Sequence, residues 1–393
     1  MRRSFQNDFP FEKKKCALSA YLPPAPFTLD PRERKRVSFD SPPMNRRHFL
    51  ASLPCLAAAR TVLAAAGAGE SRLGLCAFSC HQQWKSVGRE GAAVKFHDAA
   101  TFYRYARDLG AEGVQTALRS TDTAVASAMR ALLEESGGYY ESEVRLPKSE
   151  SDLTAFENEV RLTREAGANV ARAVFTGGRR YEIFKSADEF RAFHEAAAKT
   201  LTLIEPILQK HRLKVAFENH KDHTIAELIA LMRGVSSEWV GVLVDTGNNI
   251  ALLEEPHAVV EALAPYALSV HFKDMAVQPH EDGFLLSEVP PGTGMLDLPR
   301  MIVTLRKANP ALVLNLEMAT RDPLLVPCKR EDYYATFPPD YRARFLDAAM
   351  ERVSAHPLRE PVPAITEKTT AEVIREEEAN NRAGLEWMGQ LGI

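Results

Sequence analysis

The stretch VAFENHKDH, residues 215–223, decides how this chain is read. Val215, Ala216 and Phe217 run without a turn signal into Glu218, Asn219 and His220, and then into Lys221, Asp222 and His223. Side chains alternate along a strand, so Ala216, Glu218 and His220 share one side while Phe217 and Asn219 face the other. An apolar strand that ends in chemistry-bearing residues suits a parallel sheet whose strands deliver a site at their C-terminal ends.

Seven further apolar runs fit the same description: residues 72–80, 113–118, 139–146, 169–176, 240–247, 267–274 and 312–319. Between them lie segments with apolar residues at three- and four-residue spacing, such as 186–211 and 224–235, several opened by a capping residue like Ser186 or Thr224. Strict strand and helix alternation implies parallel strands joined by crossovers, and eight units favour an α/β fold of the (β/α)8 TIM barrel type over an open doubly wound sheet. No glycine-rich dinucleotide fingerprint follows the first strand, which argues against a Rossmann domain.

A barrel gathers its chemistry at the C-terminal ends of its strands. Glu218 in VAFENH, Asp245 in VLVDTG, His271 in LSVHFKD and Glu317 in VLNLEM occupy such ends on the fifth to eighth strands. Three carboxylates crowded together repel unless a cation holds them, so a single divalent metal is the economical explanation. Three carboxylates and one imidazole are a hard, oxygen-rich donor set, which favours Mn²⁺, with Mg²⁺ and Co²⁺ compatible, over a thiolate-rich zinc site. His271 and Lys273 share a strand face, with Phe272 opposed.

Together with the PGTG turn before LDLP, the stretches AFENHKD, VLVDTGNN, SVHFKDM and LNLEM make residues 72 to about 350 resemble the xylose isomerase-like TIM barrel superfamily. That group is often labelled sugar phosphate isomerase/epimerase and includes ketose 3-epimerases, inosose dehydratase and endonuclease IV. The resemblance implies that Glu218, Asp245, His271 and Glu317 are the metal ligands and that, as in the epimerase members, the two glutamates also serve as acid and base. It departs from the three-metal nuclease members: Thr246, Gly247 and Asn248 follow Asp245 where those members and many epimerases carry a histidine.

The expected activity is metal-dependent isomerisation or epimerisation of a sugar through an enediolate, with Glu218 and Glu317 moving protons on opposite faces. Lys273 and His220 lie on the pocket side of their strands and are candidates for positioning or proton transfer. His81, Gln115, Asn248 and Arg179 are candidates for substrate contact. Glu141 and Glu143 share a face with Arg145, which suggests a self-contained ion-pair arrangement. Residues 276–294 read as a long loop of the kind that forms a lid. Two other readings stay open, a lyase that cleaves 3-keto-sugars or keto-glycosides on the same barrel and a non-catalytic sugar-binding barrel.

The 393 residues, 45% hydrophobic and 26% charged, can bury a full core, and a barrel of about 250 residues fits inside them. A formal charge of −3 offers no broad basic surface, so nucleic acid is not an expected partner. The partner expected is a small sugar or sugar derivative, and the helical charge pattern in residues 357–393 suggests a tail that packs on the barrel or on another subunit of a homo-oligomer. MNRRHFLASLPCLAAARTVLAAAGAGE, beginning at Met44 with Arg46 and Arg47 paired, resembles a twin-arginine export signal. The chain therefore divides into an extension (1–43), a signal peptide (44–70), the barrel (71–356) and a helical tail (357–393), with export to the periplasm or beyond and no stable membrane span after processing.

Overall fold

The computed structural model describes residues 72–89, 94–356 and 361–391. Each of the eight apolar runs becomes a barrel strand, shorter than the run that announced it: β1 (Leu73–Cys76), β2 (Gly113–Gln115), β3 (Tyr139–Glu143), β4 (Val170–Ala173), β5 (Lys214–Glu218), β6 (Val240–Asp245), β7 (Ala267–Phe272) and, after two intervening strands, β10 (Leu314–Leu316). They close in the order β1-β10-β7-β6-β5-β4-β3-β2, with every pairing parallel. This is a (β/α)8 barrel. The register sets Asp245 beside His271 and Asn315 beside His271, which brings neighbouring strand ends to one level.

The intervening helices form where sequence and capping agree. Thr224 and Glu227 make a reciprocal capping box at the start of the helix Ile225–Val235, and the Ser186 side chain accepts from Glu189 N at the start of the helix Ala187–His211. The latter helix turns Phe190, Ala197, Leu201, Ile204 and Leu208 inward, at three-, four- and seven-residue spacing, while its other faces meet solvent.

The barrel interior is not wholly apolar. Glu141, on β3, accepts from Ser269 Oγ (2.6 Å), Gln115 Nε2 (2.8 Å) and Asn315 Nδ2 (2.9 Å). Burial raises this carboxyl to about 7 against the pull of those three donors. The expected cluster with Arg145 does not form: Arg145 is exposed, and Glu143 stands 3.5 Å from Arg172 instead. Alternation along one strand groups residues by face, but the nearest cation came from the next strand.

Residues 276–294 also depart from expectation. In place of a lid they contribute most of an antiparallel hairpin, β8 (Asp274–His280) and β9 (Gly283–Val289), joined on its far side by β11 (Leu324–Val326). Val277, Phe284 and Leu286 are buried, as are Met275 and Val326 beside them, so these apolar residues face the interior. The PGTG turn is fastened beneath it: the Asp274 carboxylate accepts from the backbone N–H groups of Met275, Gly292, Gly294 and Leu296 at 2.8–3.1 Å.

The helix Thr370–Gln390 packs on its own barrel, over the ends of β1 and β10. Asn381 Nδ2 donates to Ser79 O (2.9 Å), Trp387 stacks on Phe272, and Glu377 accepts from Gln82 N (2.8 Å) and Gln83 N (3.2 Å). Residues 1–43 and the candidate export signal at 44–70 lie outside the described residues. Among the described residues no helix is long and apolar enough to cross a membrane.

Two outcomes follow from this packing. Gly283 has φ +155°, and an added Cβ would sit 2.2 Å from Val326 O, so Gly283→Ala must push β11 off the hairpin. Thermal or denaturant melts of that variant are expected to show a loss of about 2–4 kcal/mol. Burial raises the Glu377 carboxyl to about 7, facing His81 and Lys85 across the interface and Glu378 on its own helix. Its folded value thus exceeds the unfolded one, and the folded chain holds the extra proton. That stability is fully present below the unfolded pKa and fades as pH rises through about 7. Melting curves of Glu377→Gln should lose less stability than the parent between pH 5 and 8, by on the order of 1–3 kcal/mol.

Candidate metal centre

Glu218, Asp245, His271 and Glu317 converge at the C-terminal mouth of the barrel, and one ligand atom from each can be chosen so that all lie within 4.8 Å of one another. All four are buried. His271 Nδ1 stands 3.0 Å from Glu317 Oε2, 3.7 Å from Glu218 Oε2 and 3.8 Å from Asp245 Oδ2.

The orientation of each donor has an identifiable support. His271 Nε2 lies 2.6 Å from Gln115 Oε1, which can only accept, so Nε2 carries a proton and Nδ1 is the nitrogen that faces the carboxylates. Without a metal those carboxylates, against the effect of burial, raise the imidazole well above its usual range and keep it charged, and Nδ1 becomes a ligand by giving up its proton. Gln115 is held in turn by Glu141, so the polar layer in the barrel interior sets the imidazole's tautomer. Asp245 Oδ1 accepts from Gly247 N (2.9 Å) and Asn248 N (2.8 Å), which leaves Oδ2 directed at the cluster. Asn219, on the opposite side of β5 from Glu218, ties the two strand ends together through Asp245 N and Asp245 O. Glu218 Oε2 receives Arg172 Nε (2.6 Å) and Nη2 (2.5 Å), and Oε1 receives Asn248 Nδ2 (2.8 Å).

Charge explains how such a cluster persists. Burial alone would raise both glutamates, yet Arg172 and His271 hold Glu218 well below the usual carboxylate range, and Lys273 and His271 do the same for Glu317. Asp245 is pushed up to about 7 by burial, against Lys273 and reinforced by Glu317 and Glu218. Lys273 Nζ reaches Glu317 Oε2 (2.7 Å) and stands 2.8 Å from Asp245 Oδ2 without aligning a hydrogen bond to it. Asp245 Oδ2 and His271 Nδ1 are therefore buried polar atoms with no hydrogen-bond partner, both facing the same point. Two buried polar atoms without hydrogen bonds amid a hard donor set fit a divalent cation.

The remaining residues singled out from the sequence fall into different places. His220 and Asn248 line the cavity above the cluster, of about 370 Å³, as do Arg179 and Lys273. His220 Nδ1 has no hydrogen-bond partner, and burial lowers its pKa to about 4, so its imidazole is neutral near pH 7. Arg179 pairs with Glu182 on the outer wall. Gln115 supports His271 from below and lines no part of the cavity, which corrects its expected role as a substrate contact. His81 is turned away as well: Nδ1 lies 3.1 Å from Phe78 O and 3.6 Å from Glu377, against the C-terminal helix.

Sequence reasoning missed Arg172, Lys221, Glu288 and Arg321. Arg172 lies mid-strand in ARAVF, one position from where a barrel interior is expected to be apolar. Glu288 comes from the hairpin mistaken for a loop, 3.7 Å from Lys273 and 2.8 Å from Arg321. Cys76 adds a buried thiol within the same reach of His271 and Glu317. A larger cavity, of about 1000 Å³, lies between the C-terminal helix and the segment around Arg89 and Lys95; it shares no residue with the acid cluster, so chemistry rather than volume selects the smaller one.

The fold and this acid-and-imidazole mouth define a class, the (β/α)8 barrels with room for a metal at the C-terminal ends of their strands. The chain belongs to the xylose isomerase-like TIM barrel family, whose model matches residues 103–336. It is 30% identical over 126 residues to a 3-oxo-isoapionate decarboxylase from Pectobacterium atrosepticum (32% of this chain, 46% of that protein). It is 24% identical over 135 residues to the uncharacterized protein YihM of Escherichia coli (34% and 39%). Each match spans less than half of the relative's length. Among solved structures, the 3-keto-D-glucoside 4-epimerase YcjR of E. coli superposes with a TM-score of 0.49 at 12% identity, covering 73% of this chain and 100% of that one.

Lys273→Met is expected to leave Asp245 and Glu317 facing each other with no ammonium between them. Breaking a buried pair from one side costs about 3–5 kcal/mol, so the metal-free variant should melt well below the parent. An unchanged melting temperature in a chelator-treated sample would mean that Lys273 does not balance the cluster.

Proposed function

We propose that the protein is a divalent-metal-dependent sugar isomerase or epimerase in which Glu218, Asp245, His271 and Glu317 hold the ion, Mn²⁺ being favoured. The observation that carries this reading is the pair of orphaned buried atoms, Asp245 Oδ2 and His271 Nδ1, aimed at one point between two glutamates beneath a polar cavity. When bound, the cation supplies the positive charge that acidifies a C–H beside a carbonyl and steadies the enediolate oxygen.

The protein's own groups divide the remaining work unequally. Glu317 uses only Oε2 in its contacts with Lys273 and His271, leaving Oε1 toward the cavity it lines, and it is the base we assign to proton removal. Glu218 is committed at both oxygens, to Arg172 and Asn248, and returning a proton there requires one of these bonds to open. His220, neutral and without a partner at Nδ1, lies on the same wall and can relay that proton. Lys273 balances the carboxylates and orients Glu317. Proton removal on one face and return on the other inverts a carbon; return to the adjacent carbon isomerises.

A second reading keeps the enediolate and changes the bond that breaks. The relative from Pectobacterium atrosepticum is a decarboxylase. In a decarboxylation the bond to the carboxylate carbon breaks and its electron pair stays behind in the enediolate. In an elimination the enediolate forms first and the aglycone on the carbon β to the carbonyl departs with its electron pair, so either makes a lyase of the same site.

The readings separate in deuterated water with the manganese-loaded protein, ketoses and 3-keto-glycosides. Deuterium entering one carbon of an intact sugar is expected; release of an aglycone or of carbon dioxide would transfer the assignment to the lyase. Glu317→Gln should cut exchange at least a hundredfold while keeping the circular-dichroism spectrum of the folded barrel, and should melt below the parent because Lys273 and the ion each lose a carboxylate. Exchange at the parental rate would remove Glu317 from the acid/base pair.

A further inference from the structure

Lys221 is the unusual cation of the cavity. Its side chain is 4% exposed, and its ammonium donates to Asn248 Oδ1. The same amide oxygen also receives Lys273 Nζ at 3.4 Å. Two buried ammonium groups thus converge on one neutral acceptor. Every other cation lining the cavity has a carboxylate of its own: Arg172 has Glu143 and Glu218, Arg179 has Glu182, Lys273 has Asp245 and Glu317, and Arg321 has Glu288. Among the described residues no carboxylate lies within ion-pair distance of Lys221. Burying an ammonium with no counter-charge is costly, and Asn248 offers only a dipole in return.

The charge balance of the whole cavity points the same way. Five cations line it (Arg172, Arg179, Lys221, Lys273 and Arg321), and Glu182, Glu218, Glu288 and Glu317 on its wall, with Asp245 beneath and Glu143 behind Arg172, make six carboxylates. With His271 neutral as a ligand, a divalent ion would leave one positive charge in excess. The cation without a carboxylate of its own is Lys221, separated from the metal donor Glu218 by the single side chain of Asn248, whose Nδ2 donates to Glu218 and whose Oδ1 accepts from Lys221.

We propose that Lys221 anchors a carboxylate of the substrate, so that the enzyme works on a sugar acid rather than on a neutral sugar. This rests on the metal-dependent reading above and names the substrate class for it. A single unpaired ammonium matches the one negative charge of a carboxylate better than the charge of a phosphate monoester, which approaches two at neutral pH. The link through Asn248 places the carboxylate a short way along the carbon chain from the reacting carbonyl.

Calorimetric titration of the full chain with D-gluconate and D-glucitol tests the proposal, since the two probes differ only by a carboxylate in place of a hydroxymethyl group. Mn²⁺ is titrated first and tests the metal reading by itself; both probes are then measured with and without the ion. Gluconate is expected to bind the manganese-loaded parent at least tenfold more tightly than glucitol. Lys221→Met should lose that preference, keep glucitol and Mn²⁺ affinities within twofold, and melt no lower than the parent because methionine fills similar volume without an unpaired charge. Lys221→Arg should retain most of the preference. Equal affinities for the two probes in the parent, or an undiminished gluconate preference in Lys221→Met, would overturn the proposal even if Mn²⁺ binds. A chain that takes up no Mn²⁺ but keeps a Lys221-dependent gluconate preference would defeat the metal reading and uphold this one. D-Glucitol 6-phosphate binding more tightly than gluconate would move the anchor to phosphate and overturn the carboxylate assignment.

Discussion

Everything at the mouth of this barrel answers to one constraint: three buried carboxylates within a few ångströms must be balanced by positive charge. Arg172 supplies it from β4 and Lys273 from the residue after β7, each within hydrogen-bonding reach of a different glutamate. Neither reaches the whole cluster. Asp245 Oδ2 and His271 Nδ1 are left without hydrogen bonds, and that residue of unmet demand is what a divalent cation would satisfy.

The supports for the cluster extend well below it. A ligand imidazole is useful only with the right nitrogen bare, and the tautomer of His271 is set by Gln115, which is set by Glu141, which is held by Ser269 and Asn315. The polar layer inside the barrel is therefore part of the site, and the cost of burying Glu141 is offset by three donors and by the order it imposes above. The hairpin of β8 and β9 acts from the other side: it brings Glu288 to Lys273 and Arg321, while Asp274 fastens the turn that receives the C-terminal helix.

Much of this was legible before any coordinates. The eight apolar runs, the four donors at their ends and the absence of a dinucleotide fingerprint all depend on local pattern, and the barrel follows because parallel strands with crossovers have few ways to close. Where reading failed, the failure had a physical source. Residues 276–294 mix acids with apolar residues, a pattern that fits a loop until an antiparallel partner in 324–326 covers one face. Gln115 and His81 looked alike as polar residues near strand ends, but one donor partner in the interior and one helix at the rim send them to different tasks.

The sequence by itself determined the eight barrel strands and the four donors near the ends of the last four, because side-chain alternation and hydrophobic period are properties of a short segment and survive without knowledge of the rest. Only the tertiary structure decided which cation meets which acid. Arg172 and Glu218 are brought together by the register of two strands, Glu288 reaches the site through a hairpin far along the chain, and Lys221 is left unpaired because no acid arrives at its depth. Electrostatic partnership depends on distances through space, and those exist only once the barrel has closed.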